Sequence, residues 1–244
     1  MKSLMNIMKF KTSLKESILA DMDDILQSGE EAIKYSIEQW LKKYNIKNYK
    51  INEDNTIDAR GDVSLFRYPE SELPSYIQFR NVIGRFSVSD SELKTLKGSP
   101  NGICGYFDCS GCTHLTSLEG APRETVKAFD CSNCNSLTSL KGAPKKVGGS
   151  FYCNKCTSLT SLEGAPKKVG GSFYCRECTS LTSLEGAPKK VGGNFACPDC
   201  SSLTSLKGAP KEVEWNFYCI RCEKLNVTKE DIEKICKVSG SINI

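Results

Sequence analysis

The chain has 244 residues, 39% of them hydrophobic and 25% charged, with a formal net charge of +4. That balance describes a folded protein, too short for several large domains and too apolar for disorder. No segment offers the run of about 20 apolar residues a membrane helix needs, and the basic start, MKSLMNIMKFKTSLKES, lacks the apolar stretch and cleavage site of a secretory leader. Fourteen cysteines without such a leader are expected as reduced thiols in a cytoplasm.

Residues 1–48 read as an N-terminal helical cap. Within it, residues 13–44 carry two apolar stripes at helical spacing: Leu14, Ile18, Met22, Ile25 and Leu26, then Ala32, Ile33, Ile37, Trp40 and Leu41. A break at Ser28–Gly29 predicts an αα-hairpin. Residues 49–92 form a β-rich lead-in, YKINEDNTIDARGDVSLF, followed by a degenerate unit FSVSDSELKTL. There Val88 stands where the first cysteine of a later pair belongs and Ser91 near the second.

Residues 93–222 are an internal repeat. Cysteine pairs recur at 109/112, 131/134, 153/156, 175/178, 197/200 and 219/222, a step of 22 residues. Leucine pairs from 93/96 to 203/206, prolines from Pro100 to Pro210 and phenylalanines from Phe107 to Phe217 keep the same step. A period of this length describes a solenoid, in which one unit cannot bury its own core but stacked neighbours do. Phe151 and Cys153 alternate with Tyr152 and Asn154 as in a strand with one buried face. Gly164 and Pro166 then break regular structure and return the chain. Cys104 aligns with Val126 on this count. In the last segment, 223–244, Thr228 and Asp231 predict a capped helix to about residue 237, with Ile232, Ile235 and Cys236 on one face.

Written out, one unit is F-x-C-x-x-C-x-x-L-T-S-L-x-G-A-P-x-x-V-G-G-x. It resembles the cysteine-containing leucine-rich repeat, and is similar to the short, proline-bearing repeats of bacterial and phage-type proteins whose LTSLPxLP corresponds to LTSLEGAP here. The resemblance covers residues 57 to 222 and implies an α/β leucine-rich repeat solenoid: a concave parallel β-sheet, an N-terminal helical cap and a short C-terminal helical cap. Some effector-type relatives carry a separate cysteine-based ubiquitin ligase domain, for which this chain has no room.

The pattern C-x2-C-x18-C-x2-C also falls inside zinc-site spacing, and three zincs could use all six pairs. Against it, two pairs per metal would impose an alternation of units that the repeats do not show, and Val88 replaces a cysteine with an apolar side chain. The thiols are therefore expected to pack, with no metal and no cofactor. His114, the one histidine, falls in a surface slot beside Ser136 and Ser158.

Two adjacent units, 151–172 and 173–194, differ at few positions, chiefly where Asn154–Lys155 becomes Arg176–Glu177. A solvated dipeptide between the cysteines explains that freedom. The displayed set is then Tyr152, Tyr174, Tyr218, Arg176, Asn154, Lys155, Glu177, Ile220 and Arg221, with Asp108 and Asp130 at one end. Tyrosine and arginine are residues of interaction hot spots. Lys145, Lys146, Lys167, Lys168, Lys189, Lys190 and Lys211 are expected as a double basic row on the opposite edge, one that solubilises the chain in preference to binding an anionic partner. The expected function is non-enzymatic binding of a protein partner on the concave face, without a membrane. Residue usage points to a phage-encoded inhibitor of a host defence enzyme, of the anti-CRISPR kind, acting in a bacterial cytoplasm. The alternative is a zinc-containing nucleic-acid binder using the lysine edge.

Overall fold

A computed structural model describes Lys15 and residues 27–244. The chain divides into two compact units, one ending at Lys43 and the other running from Tyr44 to Ile244. In the first, residues 27–43 form helix α1, with Ser28 and Gly29 helical at its described start and not in a turn. One glycine costs a helix only about 1 kcal/mol. Ile37, Trp40 and Leu41 are buried, whereas Ala32 and Ile33 are exposed. Leu14, Ile18, Met22, Ile25 and Leu26, the other arm of the predicted hairpin, lie outside the described residues.

The second unit opens with an antiparallel hairpin of β1 (Tyr49–Ile51) and β2 (Ile57–Ala59), turned by Asn55 in the left-handed region. After β3 (Val63–Ser64), β4 (Phe79–Ser87) and β5 (Ile103–Asp108) are continuous strands. From there each coil contributes two short strands. One set is β6 (Glu124–Thr125), β8 (Lys146–Val147), β10 (Lys168–Val169), β12 (Lys190–Val191) and β14 (Glu212–Val213). The other is β7 (Phe129–Asp130), β9 (Phe151–Tyr152), β11 (Phe173–Tyr174), β13 (Phe195–Ala196) and β15 (Phe217–Tyr218). Each set pairs in parallel with its counterparts in neighbouring coils, and both belong to one sheet.

The strand splits because the chain bends at paired glycines. A Cβ on Gly170 would lie 2.1 Å from the carbonyl oxygen of Gly148, so the coils meet backbone to backbone at this corner. On the return side Gly164 has φ +91°, and a Cβ there would lie 2.4 Å from the backbone nitrogen of Lys141. Only glycine meets both demands. The segments between these turns carry the leucine pairs inward without regular structure, as the Gly and Pro spacing predicts.

Three inward columns make the core. Phe86, Phe107, Phe129, Phe151, Phe173, Phe195 and Phe217 are all fully buried, with neighbouring ring centroids 5.1–5.5 Å apart. From Phe86 to Phe195 the rings are within 4–11° of parallel, an offset stack that adds to the area each buries. The leucine pairs are buried beside them. The third column runs Ala59, Val82, Cys104, Thr125, Val147, Val169, Val191, Val213 and Val238. Cys104 therefore faces Thr125 and not Val126, which is 58% exposed. The coil is one residue shorter at this point than the phenylalanine step implies, and strand β4 carries a register shift beside it.

The C-terminal helix α2 runs Lys229–Ile235, two residues shorter than predicted. Thr228 and Asp231 form the expected capping box. Cys236 leaves the helix in extended geometry, so Ile235, at 36% exposure, does not share its buried position with Ile232. The chain then adds one more coil, β16 (Lys237–Val238) and β17 (Ile242–Asn243), which extends both ladders.

Leu159 is fully buried and Lys167 exposed. Leu159→Ala is expected to cost about 2–5 kcal/mol because flanking coils close poorly over a cavity, whereas Lys167→Ala leaves stability nearly unchanged; chemical denaturation of the two variants checks this. The hydroxyl of Thr125 is buried without a hydrogen-bond partner. Thr125→Val, which restores the residue type of the column, is expected to raise stability by roughly 1–3 kcal/mol, and a fall in the denaturation midpoint would contradict it.

Candidate functional site

The outward residue after each phenylalanine forms a register column: Ser87, Asp108, Asp130, Tyr152, Tyr174, Ala196, Tyr218 and Asn243. Alternation along the strand puts phenylalanine in and its neighbour out. Tyr152 and Tyr174 are half-buried, and their rings stack 5.2 Å apart at 9°. Ala196 stands between Tyr174 and Tyr218, so the three expected tyrosines make a pair and an outlier.

The acidic end is paired internally. Asp108 is only 2% exposed; its Oδ2 accepts from the Arg85 guanidinium and, at 3.2 Å, from the Ser87 hydroxyl. Its Oδ1 accepts from the Ser110 amide at 3.0 Å and hydroxyl at 2.6 Å. The Arg85 guanidinium also lies 4.9 Å from the centre of the Tyr106 ring, a cation–π contact. Burial pushes the Asp130 carboxyl above its ordinary range, while the Ser132 amide donates to it at 2.9 Å. Arg85 was not legible as a site residue because it precedes the regular repeat, and Tyr106 because the matching position in later coils holds Ala128, Ser150 or Ser172.

The dipeptides between the cysteines are not free strand positions. Their second residues, Gly111, Asn133, Lys155, Glu177, Asp199 and Arg221, all have φ between 55° and 73°, in the left-handed region. Gly, Asn and Asp tolerate that turn; Lys155, Glu177 and Arg221 occupy it against their preference. What they gain is contact between coils. Arg176 Nε lies 2.9 Å from Glu177 and 3.3 Å from Asp199, Lys155 Nζ lies 3.8 Å from Glu177, and Arg221 grips Asp199 through two nitrogens. The Arg176 amide donates to the Asn154 side chain at 3.0 Å. Ile220 is half-buried and Pro198 stands in the same turn position one coil earlier. The lysines expected on the opposite edge instead belong to the same sheet, since Lys146, Lys168 and Lys190 sit in the valine strands just before the glycine corner. At that corner Trp215, where Gly149, Gly171 and Gly193 stand in the three preceding coils, is 59% exposed, a candidate anchor the repeat pattern concealed.

The cysteines complete the frame. Each second cysteine donates its thiol to a carbonyl of the coil before: Cys134 to Cys109, Cys156 to Cys131, Cys178 to Cys153, Cys200 to Cys175 and Cys222 to Cys197, all at 3.1–3.2 Å. Cys112 does the same to Val88 at 3.1 Å, which is why an apolar residue serves in the degenerate unit. First cysteines reach the other way, as Cys131 does to the carbonyl of Tyr152 at 3.3 Å. A side chain that satisfies turn backbone in every coil, at a 22-residue step under parallel pairing, is the defining use of the Asn/Cys slot. The fold is of the leucine-rich-repeat type.

No family model matches the chain, and no curated protein matches it. The crystal structure of a leucine-rich repeat protein from T. pallidum, TpLRR, is similar over 78% of this chain and 94% of that one, at 16% identity and a TM-score of 0.39. The register and the cysteine slot, not this distant likeness, carry the assignment. No described helix of this leucine-rich-repeat chain is long and apolar enough to cross a membrane.

Among the described residues no three His, Cys, Asp or Glu side chains converge as a metal ion requires. All fourteen thiols are buried and unpaired with one another. Burial pushes Cys104, Cys112 and Cys219 up to about 12 and Cys236 to about 11, and raises Cys109, Cys131 and Cys153 well above the ordinary thiol range. Such thiols are protonated donors, poor as nucleophiles or ligands, whereas the hydrogen bond with Cys197 lowers Cys222. At pH 8 a thiol reagent is therefore expected to label the native leucine-rich-repeat chain slowly, and all fourteen cysteines at once after denaturation; rapid labelling of the native protein would contradict this packing.

Proposed function

We propose that the protein is a non-enzymatic binding module that captures a protein partner on the outward face of its phenylalanine sheet. The observation that carries this reading is the stacked Tyr152–Tyr174 pair, held half-exposed on a rigid ladder. Anchors of this kind lose little entropy on binding, because their rotamers are already set by the neighbour ring. Around the pair, Asn154, Lys155, Arg176 and Glu177 supply polar rim contacts, with Asp130 on one flank and Tyr218, Ile220 and Arg221 on the other. Asp108, paired with Arg85, supports this face more than it displays charge. The buried, carbonyl-bonded thiols favour binding over thiol chemistry. A finer reading, an inhibitor of a host defence enzyme encoded by a phage, rests on residue usage and the near-identity of the repeats.

The test is capture of a partner from a bacterial extract, identified by mass spectrometry and remeasured with the pure partner. Replacing Tyr152, Tyr174, Tyr218 and Arg176 by Ala is expected to weaken binding by at least about 2 kcal/mol, roughly 30-fold, with the melting profile little changed. Binding that survives this variant but is lost when Lys145, Lys167 and Lys189 are neutralised would place the partner on the other surface.

A further inference from the structure

Stacking at one register places like position over like position, so every exposed charge stands above the same position of the next coil. Two such columns mix their signs. Glu119, Lys141, Glu163, Glu185 and Lys207 form one, with Lys207 Nζ 2.8 Å from Glu185. Glu124, Lys146, Lys168, Lys190 and Glu212 form another, where Lys146 pairs with Glu124 at 2.6 Å and Lys190 with Glu212 and Glu214 at 3.3 and 3.1 Å.

The column immediately after the prolines does not mix. Arg123, Lys145, Lys167, Lys189 and Lys211 are all exposed, and none joins an ion pair among the described residues. Backbone bonds hold them one coil apart: the Lys145 amide donates to Arg123 at 3.0 Å, Lys189 to Lys167 at 3.0 Å and Lys211 to Lys189 at 2.9 Å. At about 4.8 Å per coil the five cations span about 19 Å. Lys168, in the adjoining column, also has no acidic partner among the described ion pairs, its two neighbours having taken theirs.

We propose that this column, flanked by Lys168, is a docking rail for the phosphate backbone of a nucleic-acid duplex. Four of its five cations are lysines, which act as point charges and donate to phosphate oxygens from any direction. The column contains no aromatic side chain, and Tyr152 and Tyr174 lie beyond the glycine corner. Single strands depend on stacking, so a row without rings favours the duplex, whose bases are already stacked. A duplex also presents closely and regularly spaced charge that an evenly spaced rail meets without reshaping. With no side chain placed to read base edges, binding is independent of sequence and dominated by counterion release.

The test uses fluorescence anisotropy of the full chain with a labelled 30-base-pair DNA duplex of mixed sequence, between 50 and 200 mM monovalent salt. Five phosphate contacts predict a slope of log K against log salt of about −4.5, a loss of about 500-fold over that range. Lys145→Gln, Lys167→Gln and Lys189→Gln together are expected to reduce the slope by about 3. A control with the same charge change elsewhere, Lys94→Gln, Lys141→Gln and Lys207→Gln, keeps the wild-type slope. Thermal melts verify that both variants fold, which their exposed positions favour. Three outcomes overturn the proposal: no duplex binding at 50 mM salt, equal loss in both variants, or stronger binding to the matching single strand, an acidic peptide or anionic lipid vesicles than to the duplex. The tyrosine variant should bind the duplex normally, which keeps this test separate from that of the protein-binding face.

Discussion

Parallel backbone hydrogen bonds between successive coils govern the whole second unit. Once the amide of Phe151 is bonded to the carbonyl of Ser172, and that of Cys153 to Tyr174, each residue stands over the one a full repeat away. Everything else follows from what that stacking does to each residue type. Aromatic rings tolerate their own kind and form the phenylalanine column. Branched aliphatics fill the valine column. Glycine is required where no side chain could pass, as at Gly170. Thiols are a workable compromise: a buried hydroxyl or amide would need full satisfaction, whereas a thiol packs as a small apolar group and still donates weakly to a carbonyl.

The same stacking is unfavourable for charge. Identical lysines one coil apart repel, and the chain answers in two ways. Around the cysteine turns the sign changes from coil to coil, and the arms of Arg176 and Arg221 reach acids on their own turn or on a neighbouring coil. In the valine strands the repeat keeps lysine in three consecutive coils and closes the column at each end with glutamate. These exposed pairs contribute little to stability individually. Their effect is on which surface of the solenoid carries a net field and which does not.

Much of this was legible beforehand because the repeat is strict. Phe, Leu and Cys positions carry the period without exception from Phe107 to Cys222, so burial follows from spacing alone. The capping box at Thr228 was legible because its two residues sit at fixed offsets. The one-residue shortfall that sets Cys104 opposite Thr125 carries no sequence marker, since strand bulges depend on how two neighbours settle. The left-handed turn was hinted at by Gly111, Asn133 and Asp199 but hidden by Lys155, Glu177 and Arg221, whose types argue against it. The tyrosine column was visible; the pairing of Arg85 with Asp108 was not, because it depends on geometry across coils of unequal length.

The variable dipeptides have a further consequence for how such a chain finds its order. Core columns are nearly the same in every coil, so a folding intermediate that skipped a repeat would still set phenylalanine on phenylalanine and thiol on carbonyl. The core cannot distinguish neighbour from next-but-one. Lys155 with Glu177, Arg176 with Asp199 and Asp199 with Arg221 can, because a skipped coil would bring Lys155 against Asp199 but cost Glu177 its contact with Lys155 and Arg176 its contact with Asp199. Read this way, the few residues that differ between otherwise copied units act as page numbers, giving a repetitive text a unique sequence of leaves.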